Sequence, residues 1–384
     1  MQDRRGYHKC ILSPPVSKSK ADILILTAGF GDGHNSAARN LHIALEDHCK
    51  VVCLDPCALG APFINERLRS FYRVVTTHAP WLWRRIYLST EKQDFSKESL
   101  PMMRKPEALL AELLKKYQPK AVVSTYPLYP YFLERIFAAG VPKIAVITVV
   151  TDSIEINAAW QKAPTDFWLV TDARTRQMVT RQGLPETQVI ETGFPVNPHF
   201  ADLQPITAED SLTPFKVLYF PTAKKPHVRR ATREILDAHP SIQLTIVLGR
   251  NVRKLYSRAR EIKHAYPDRV RIKGWTKKVP ELLTSHHVVV GKAGGATVHE
   301  SLAAACPMLI HHLVPGQEQG NLTLLRHLNG GHLADKPGEL ASQLREMLAD
   351  NATSWRKMKR DLTRHARPGS AHIAANFILK QANL

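Results

Sequence analysis

The stretch Val288–Asn321, VVVGKAGGATVHESLAAACPMLIHHLVPGQEQGN, alternates extended and helical signals. Val288–Val290 reads as a buried strand, Gly294 and Gly295 as a turn, and the run through Ala305 as a short helix. After Pro307 a second apolar run, Met308–Ile310, leads into the polar turn Pro315-Gly316-Gln317-Glu318-Gln319. A strand feeding a glycine turn and a helix gathers free backbone N–H groups and the positive end of a helix dipole at one spot. That spot suits a phosphate or diphosphate. Glu318 and its glutamine neighbours add acceptors and donors for sugar hydroxyls, so the run as a whole fits a nucleotide-sugar pocket. Taken singly, the residues also fit structural roles: Thr297-x-x-Glu300 has capping-box spacing, and Pro315-Gly316 is an ordinary turn pair.

The same grammar opens the chain. Ala21–Ala28 (ADILILTA) is an apolar run of the kind buried in parallel sheets, followed by Gly29-Phe30-Gly31-Asp32-Gly33-His34, a helix from about Asn35, and a strand at Val51–Leu54. This is a βαβ start. The P-loop signature fails, because His34-Asn35 stands where Gly-Lys-Ser/Thr is required. The dinucleotide fingerprint lacks its third glycine at His34, although Asp55 is spaced for a ribose carboxylate. What remains is His34 at a helix N-terminus above a strand's carboxyl end. The dipole there disfavours imidazolium and leaves a ring able to accept a proton, which is what a general base for a hydroxyl acceptor needs. A surface histidine on a first helical turn is the competing reading.

Further βα alternation fills the chain: strands at Pro119–Thr125, Lys143–Val150, Phe167–Val170 and Val189–Thr192, then Lys216–Phe220, Gln243–Leu248 and Arg269–Ile272, with helices between them. The expected division is a basic N-terminus (1–20), an N-terminal domain (21–200), a polar linker (201–214), a C-terminal domain (215–365), and a terminal helix (366–384) able to pack back on the N-terminal domain. Between Arg67 and Leu88, Trp81, Trp83, Arg84, Arg85 and Tyr87 interleave rings with cations. That pattern suits the interface of an anionic bilayer, or simply an amphipathic helix covering its domain.

Composition sets the outer limits. With 384 residues, 44% hydrophobic and 23% charged, the chain is globular and long enough for two cores. Its net charge of +19 calls for an anionic partner. No nucleic-acid-binding signature accompanies that charge, so a membrane surface is the better candidate and nucleic acid is not expected. Five cysteines without paired spacing read as free thiols, and the strand at Val51–Leu54 would not bring Cys49, Cys53 and Cys57 to one metal ion. The N-terminus has no sustained apolar core followed by a cleavage site, so a cytosolic location is expected.

Taken in order, LTAGFGDGHNSAARNL, STYPL, VVTD with Trp160, TGFPVNPHF and GKAGGATVHESLAAACPMLI…PGQEQGN resemble the monogalactosyldiacylglycerol synthases and bacterial diacylglycerol glucosyltransferases. The likeness runs from about Ile23 to Gly331, with a more distant similarity to the peptidoglycan N-acetylglucosaminyltransferase. It implies the GT-B fold, an α/β pair of Rossmann-like doubly wound parallel-sheet domains facing a central cleft. The acceptor lipid falls to the first domain and the UDP-sugar to the second.

By motif position the resemblance makes His34 the base. Gly294, Gly295 and Thr297 fall on the diphosphate turn, Glu300 on the ribose carboxylate, and Gln317 and Glu318 on donor-sugar contacts. Gly31, Gly33, Asp152 and Trp160 fall on the acceptor side. The implied reaction inverts configuration without a metal or other cofactor, moving galactose or glucose from a UDP-sugar to diacylglycerol at the cytosolic membrane face. The alternatives are another lipid-linked acceptor, or a non-catalytic membrane- or polyanion-binding relative. Three positions depart from the family pattern: Lys224-Lys225 where a glycine-rich loop is usual, and Asn157 and Tyr126 near positions where histidines are common. Lys224 would replace backbone contacts to the donor with charge.

Overall fold

The computed structural model describes residues 20–91, 95, 101–222, 225–316 and 318–384. They divide into two compact units, one of residues up to 198 with 315–317 and 369–384, the other of 199–314 and 318–368.

The first unit holds a six-stranded, all-parallel sheet in the order β2-β1-β3-β4-β5-β6. Its strands are β1 (Ile23–Leu26), β2 (Val51–Leu54), β3 (Ala121–Ser124), β4 (Ala145–Val149), β5 (Phe167–Val170) and β6 (Val189–Glu191). Helices α1 (Asp32–Leu45), α2 (Pro62–His78), α3 (Pro80–Glu91), α4 (Arg104–Tyr117) and α5 (Tyr129–Ala138) connect them, with shorter turns between. Strands buried on both faces need no alternation, and β1 is fully buried along its length. Ile23 and Ile25 pack with Leu41 of α1 and Ala374 and Ile378 of the C-terminal helix Ser370–Gln381. Leu24 and Leu26 pack on the other face with Leu110 and Leu114 of α4 and Leu133 of α5. Cys53 and Cys57 belong to these two opposite cores, packed among apolar side chains. The basic-aromatic stretch is two helices rather than one, because Pro80 cannot donate to the preceding turn and the chain breaks at Ala79.

The second unit also has six parallel strands, ordered β12-β11-β10-β7-β8-β9. They are β7 (Phe215–Tyr219), β8 (Ile242–Val247), β9 (Val270–Lys273), β10 (Val288–Lys292), β11 (Met308–His312) and β12 (Gly331–Leu333). Helices α6 (Lys225–Ala238), α7 (Val252–Ala265), α8 (Val279–Thr284), α9 (Gly295–Ala303), α10 (Gln319–His327) and α11 (Glu339–His365) complete it. The short β12 carries no sequence signal of its own. Residues 355–365 form the second half of α11, beyond a non-helical break at 349–352. Its basic residues do not all face solvent: Trp355 is buried and donates to His287 O, and buried Lys359 donates to the carbonyls of Ala304 and Ala305 at the end of α9. Within 201–214, the Ile206 N–H donates to Thr284 O, and Ala208 O accepts from Arg356.

Candidate functional site

In an open parallel sheet, ligands bind beyond the carboxyl ends of the strands where the strand order reverses. In the first unit that point lies between β1 and β3. The loop leaving β1 carries Gly29 to Gly33, and His34 sits on the first turn of α1. Gly31 precedes the helix at φ 93°, a left-handed conformation that only glycine adopts at little cost.

His34 is buried, with 9% of its surface exposed. Thr151, just after β4, places its hydroxyl 3.0 Å from His34 Nδ1, and Thr125, just after β3, donates to the His34 carbonyl at 3.1 Å. Tyr126 meets the ring edge-on at 5.3 Å and Trp160 lies at 5.8 Å. Burial holds the imidazole pKa down to about 4, against a smaller opposing pull from the Thr125 backbone. The ring is therefore neutral at physiological pH, as the sequence implies. Desolvation is the main cause of the shift, where the sequence argument invoked the helix dipole.

The other acceptor-side candidates separate by burial. Trp160 is 1% exposed and donates its indole N–H to half-buried Asp152 at 3.0 Å, so the indole walls the histidine from the interior. Gly33 has open space where a Cβ would go. Asn157 accepts from the Ala159 N–H as cap of the turn 158–161 and donates to Tyr87 O, which gives it a local structural job. Trp81 is 63% exposed, Arg84 and Arg85 are exposed, and Trp83 is half-buried against Tyr72 at 4.8 Å. Asp55, spaced for a ribose, is 3% exposed and accepts from the N–H groups of Gly29 and Ala58. It binds its own chain.

In the second unit the reversal lies between β7 and β10, and the turn Ala293-Gly294 leaves β10 there. Helix α9 begins at Gly295 with Gly294 as its cap and no side-chain cap. The capping-box reading of Thr297 and Glu300 is thereby excluded, because both lie inside the helix, half-buried on its first two turns. The free N–H groups of α9 are left for a ligand.

Glu318 is 4% exposed, takes the Lys292 ammonium at 2.7 Å on Oε1 and the Val314 N–H at 3.0 Å on Oε2. Its carboxylate thus fixes a half-exposed cation beside Gly294. Asn321 donates to Ala293 O at 3.0 Å and holds the turn from behind. At the ends of β7 and β11, Tyr219 Oη, Thr222 Oγ1 and both ring nitrogens of His311 are buried without a hydrogen-bond partner among the described residues. Lys224 and Gln317 lie outside the described residues. Among those residues, no three His, Cys, Asp or Glu side chains are placed to share a metal ion.

Sequence reading passed over Thr151, Lys292 and Asn321. Lys292 alone carried a signal, as a cation interrupting an apolar strand next to a glycine turn.

Residues 34–196 match the family described as monogalactosyldiacylglycerol (MGDG) synthase. The chloroplastic monogalactosyldiacylglycerol synthase of Spinacia oleracea is 25% identical over 91% of this chain and 70% of its own length. The processive diacylglycerol beta-glucosyltransferase of Bacillus licheniformis is 23% identical over 94% of this chain and 96% of its own. The chain is related to the diacylglycerol glycosyltransferases. Its fold is GT-B, two Rossmann-like α/β domains: the crystal structure of Acinetobacter baumannii MurG covers 94% of the chain with a TM-score of 0.61 at 14% identity. The family match starts at His34 itself and ends at Val196, so it lies within the first unit.

Proposed function

We propose that this relative of the diacylglycerol glycosyltransferases moves a hexose, galactose or glucose, from a UDP-sugar to diacylglycerol with inversion at the anomeric carbon. The observation that carries the reading is His34: a buried, neutral imidazole at the switch point of a doubly wound sheet, held through Nδ1 by Thr151. The relatives' names supply the acceptor class. The uncapped N-terminus of α9 and the Lys292 ammonium supply the two features a diphosphate needs, free N–H donors and fixed positive charge.

The acceptor hydroxyl oxygen attacks the anomeric carbon and its proton passes to the His34 imidazole. The bond from the anomeric carbon to the diphosphate oxygen breaks, and UDP leaves with that electron pair. An imidazole with a pKa of about 4 is a weak base while the site is empty. The donor's negative charge raises that value once bound, because a nearby anion favours imidazolium. Donor binding before deprotonation is the order this chemistry favours.

Membrane docking belongs to the same proposal. Phe63, Arg67, Phe71 and Val74 follow helical spacing along one side of α2, and Phe63, Phe71 and Val74 are 66%, 52% and 58% exposed. Trp81 and Leu88 of α3 add two more exposed apolar groups, beside Arg84 and Arg85. Each buried apolar side chain contributes about 1.5–3 kcal/mol and each cation about 1 kcal/mol at an anionic leaflet, enough together for reversible docking. Among the described residues no helix is long and apolar enough to cross a membrane.

The test is incubation with UDP-galactose, UDP-glucose and UDP-N-acetylglucosamine over vesicles containing diacylglycerol, with a polyprenyl-linked saccharide as a parallel acceptor. Hexosyl-diacylglycerol in the lipid mass spectrum supports the proposal. Product only on the polyprenyl acceptor contradicts it.

A further inference from the structure

Three consecutive residues of the loop that presents His34 are held by one helix, α2. Gly29 is bonded on both sides of its backbone: its N–H donates to Asp55 Oδ2 at 3.2 Å, and its carbonyl accepts from Arg69 Nε at 3.0 Å. The guanidinium lies so close that a Cβ on Gly29 would stand 2.6 Å from Nε and 2.7 Å from Cζ. Phe30 meets Tyr72 edge-on at 6.3 Å and stacks on Tyr126 at 5.8 Å, and Tyr126 in turn meets the His34 ring. A Cβ on Gly31 would come within 3.7 Å of the Tyr72 hydroxyl. Asp55 is itself braced, accepting from Ala58 N–H and lying 3.1 Å from the Tyr129 hydroxyl, so one side of the clamp belongs to the sheet. The other side, Arg69 and Tyr72, belongs to α2.

The helical wheel places Arg69 and Tyr72 on the side of α2 opposite Phe63, Arg67, Phe71 and Val74. Whatever engages the exposed side therefore bears on a rigid rod whose other side grips the loop. Trp83 of α3 packs against Tyr72 as well, so the second exposed helix meets the same contact.

We propose that Arg69 is a positioning residue for His34, and that through it the glycine loop tightens when α2 docks on an anionic lipid surface. The proposal rests on the acceptor-side reading of His34 for its catalytic consequence, whereas the loop response itself does not depend on sugar transfer.

Amide hydrogen exchange of residues 29–34 in the full chain, with and without phosphatidylglycerol–phosphatidylcholine vesicles and with no donor present, tests the loop directly. Vesicles should slow exchange in the wild type. They should not in Arg69→Met, which keeps length but loses the donor, although it sediments with vesicles as before. Arg69→Gln, which retains an N–H donor, should recover part of the response.

In turnover, Arg69→Met should lower kcat about 10- to 100-fold through misplaced geometry, with UDP affinity unchanged. Should Arg69→Met fail to fold, Phe71→Ala, whose side chain is on the exposed side, must reduce vesicle binding and loop protection together. Wild-type exchange indifferent to vesicles overturns the proposal, as does an Arg69→Met chain that keeps the vesicle response. A vesicle response with no transfer to any acceptor would leave the coupling standing and overturn only the transferase reading.

Discussion

His34 is where the chemistry concentrates. Its neutrality comes from burial, so the acid limb of kcat/KM for the donor, which reports the free protein, should fall near pH 4 and not near the usual 6.5. A pH–rate profile with half-activity close to 6.5 would contradict this. His34→Ala should abolish turnover while UDP binding, measured by calorimetry, stays nearly intact, since Gly294, Gly295, Thr297, Glu300 and Glu318 lie on the other unit.

Glu318 makes a second residue-scale case. Glu318→Gln removes the partner that holds Lys292 and leaves a buried amide in its place. A stability loss of about 1–3 kcal/mol is expected from the surrender of the charge-assisted bond to Lys292, together with a raised donor KM. Denaturant unfolding and donor titration check the two parts separately.

At the scale of elements, sequence and structure agree most closely where chemistry needs a loop between a strand and a helix. Gly29–Gly33 and Gly294-Gly295 were legible because a buried apolar run, glycines and a helical pattern follow one another without interruption. What was not legible were the contacts that aim these loops. Thr151 reaches His34 across 117 positions, Lys292 reaches Glu318 across 26, and Arg69 reaches Gly29 across 40. No local pattern encodes such pairs, which only the sheet order brings together.

Periodicity also misled where two helices share one amphipathic pattern, as at α2 and α3. In α11, Lys359 is buried because two helix-end carbonyls accept its protons. The exposed sides of α2 and α3 carry their own prediction. Phe71→Ala with Trp81→Ala should weaken binding to anionic vesicles at least about tenfold, given roughly 1.5–3 kcal/mol per apolar group, and leave the unfolding midpoint nearly unchanged. Vesicle sedimentation reads the first and thermal denaturation the second.

For the molecule as a whole, the fold was legible as two parallel α/β units because eleven of the twelve strands among the described residues fall on short, mostly apolar runs that alternate with helices. The acid response was not, because it depends on which histidines are buried. His34 and His286 are held down to about 4 and His311 to about 3, all by desolvation. In the unfolded chain these groups titrate near the ordinary value of about 6.5. Between those limits the unfolded chain binds protons that the folded chain does not. Stability is therefore full above about pH 6.5 and drains as pH falls toward 4, by roughly 1.4 kcal/mol per pH unit for each histidine. Denaturant titrations at pH 7, 6 and 5 should show that loss, and a flat profile would mean that these side chains are solvated.

The central claim is that His34 serves as the base for sugar transfer to diacylglycerol. It is tested most directly by lipid mass spectrometry after incubation with UDP-galactose and UDP-glucose over diacylglycerol vesicles, wild type beside His34→Ala. Hexosyl-diacylglycerol from the wild type and none from the variant is the predicted result. Equal product from both, or none from either while UDP still binds, would contradict the account.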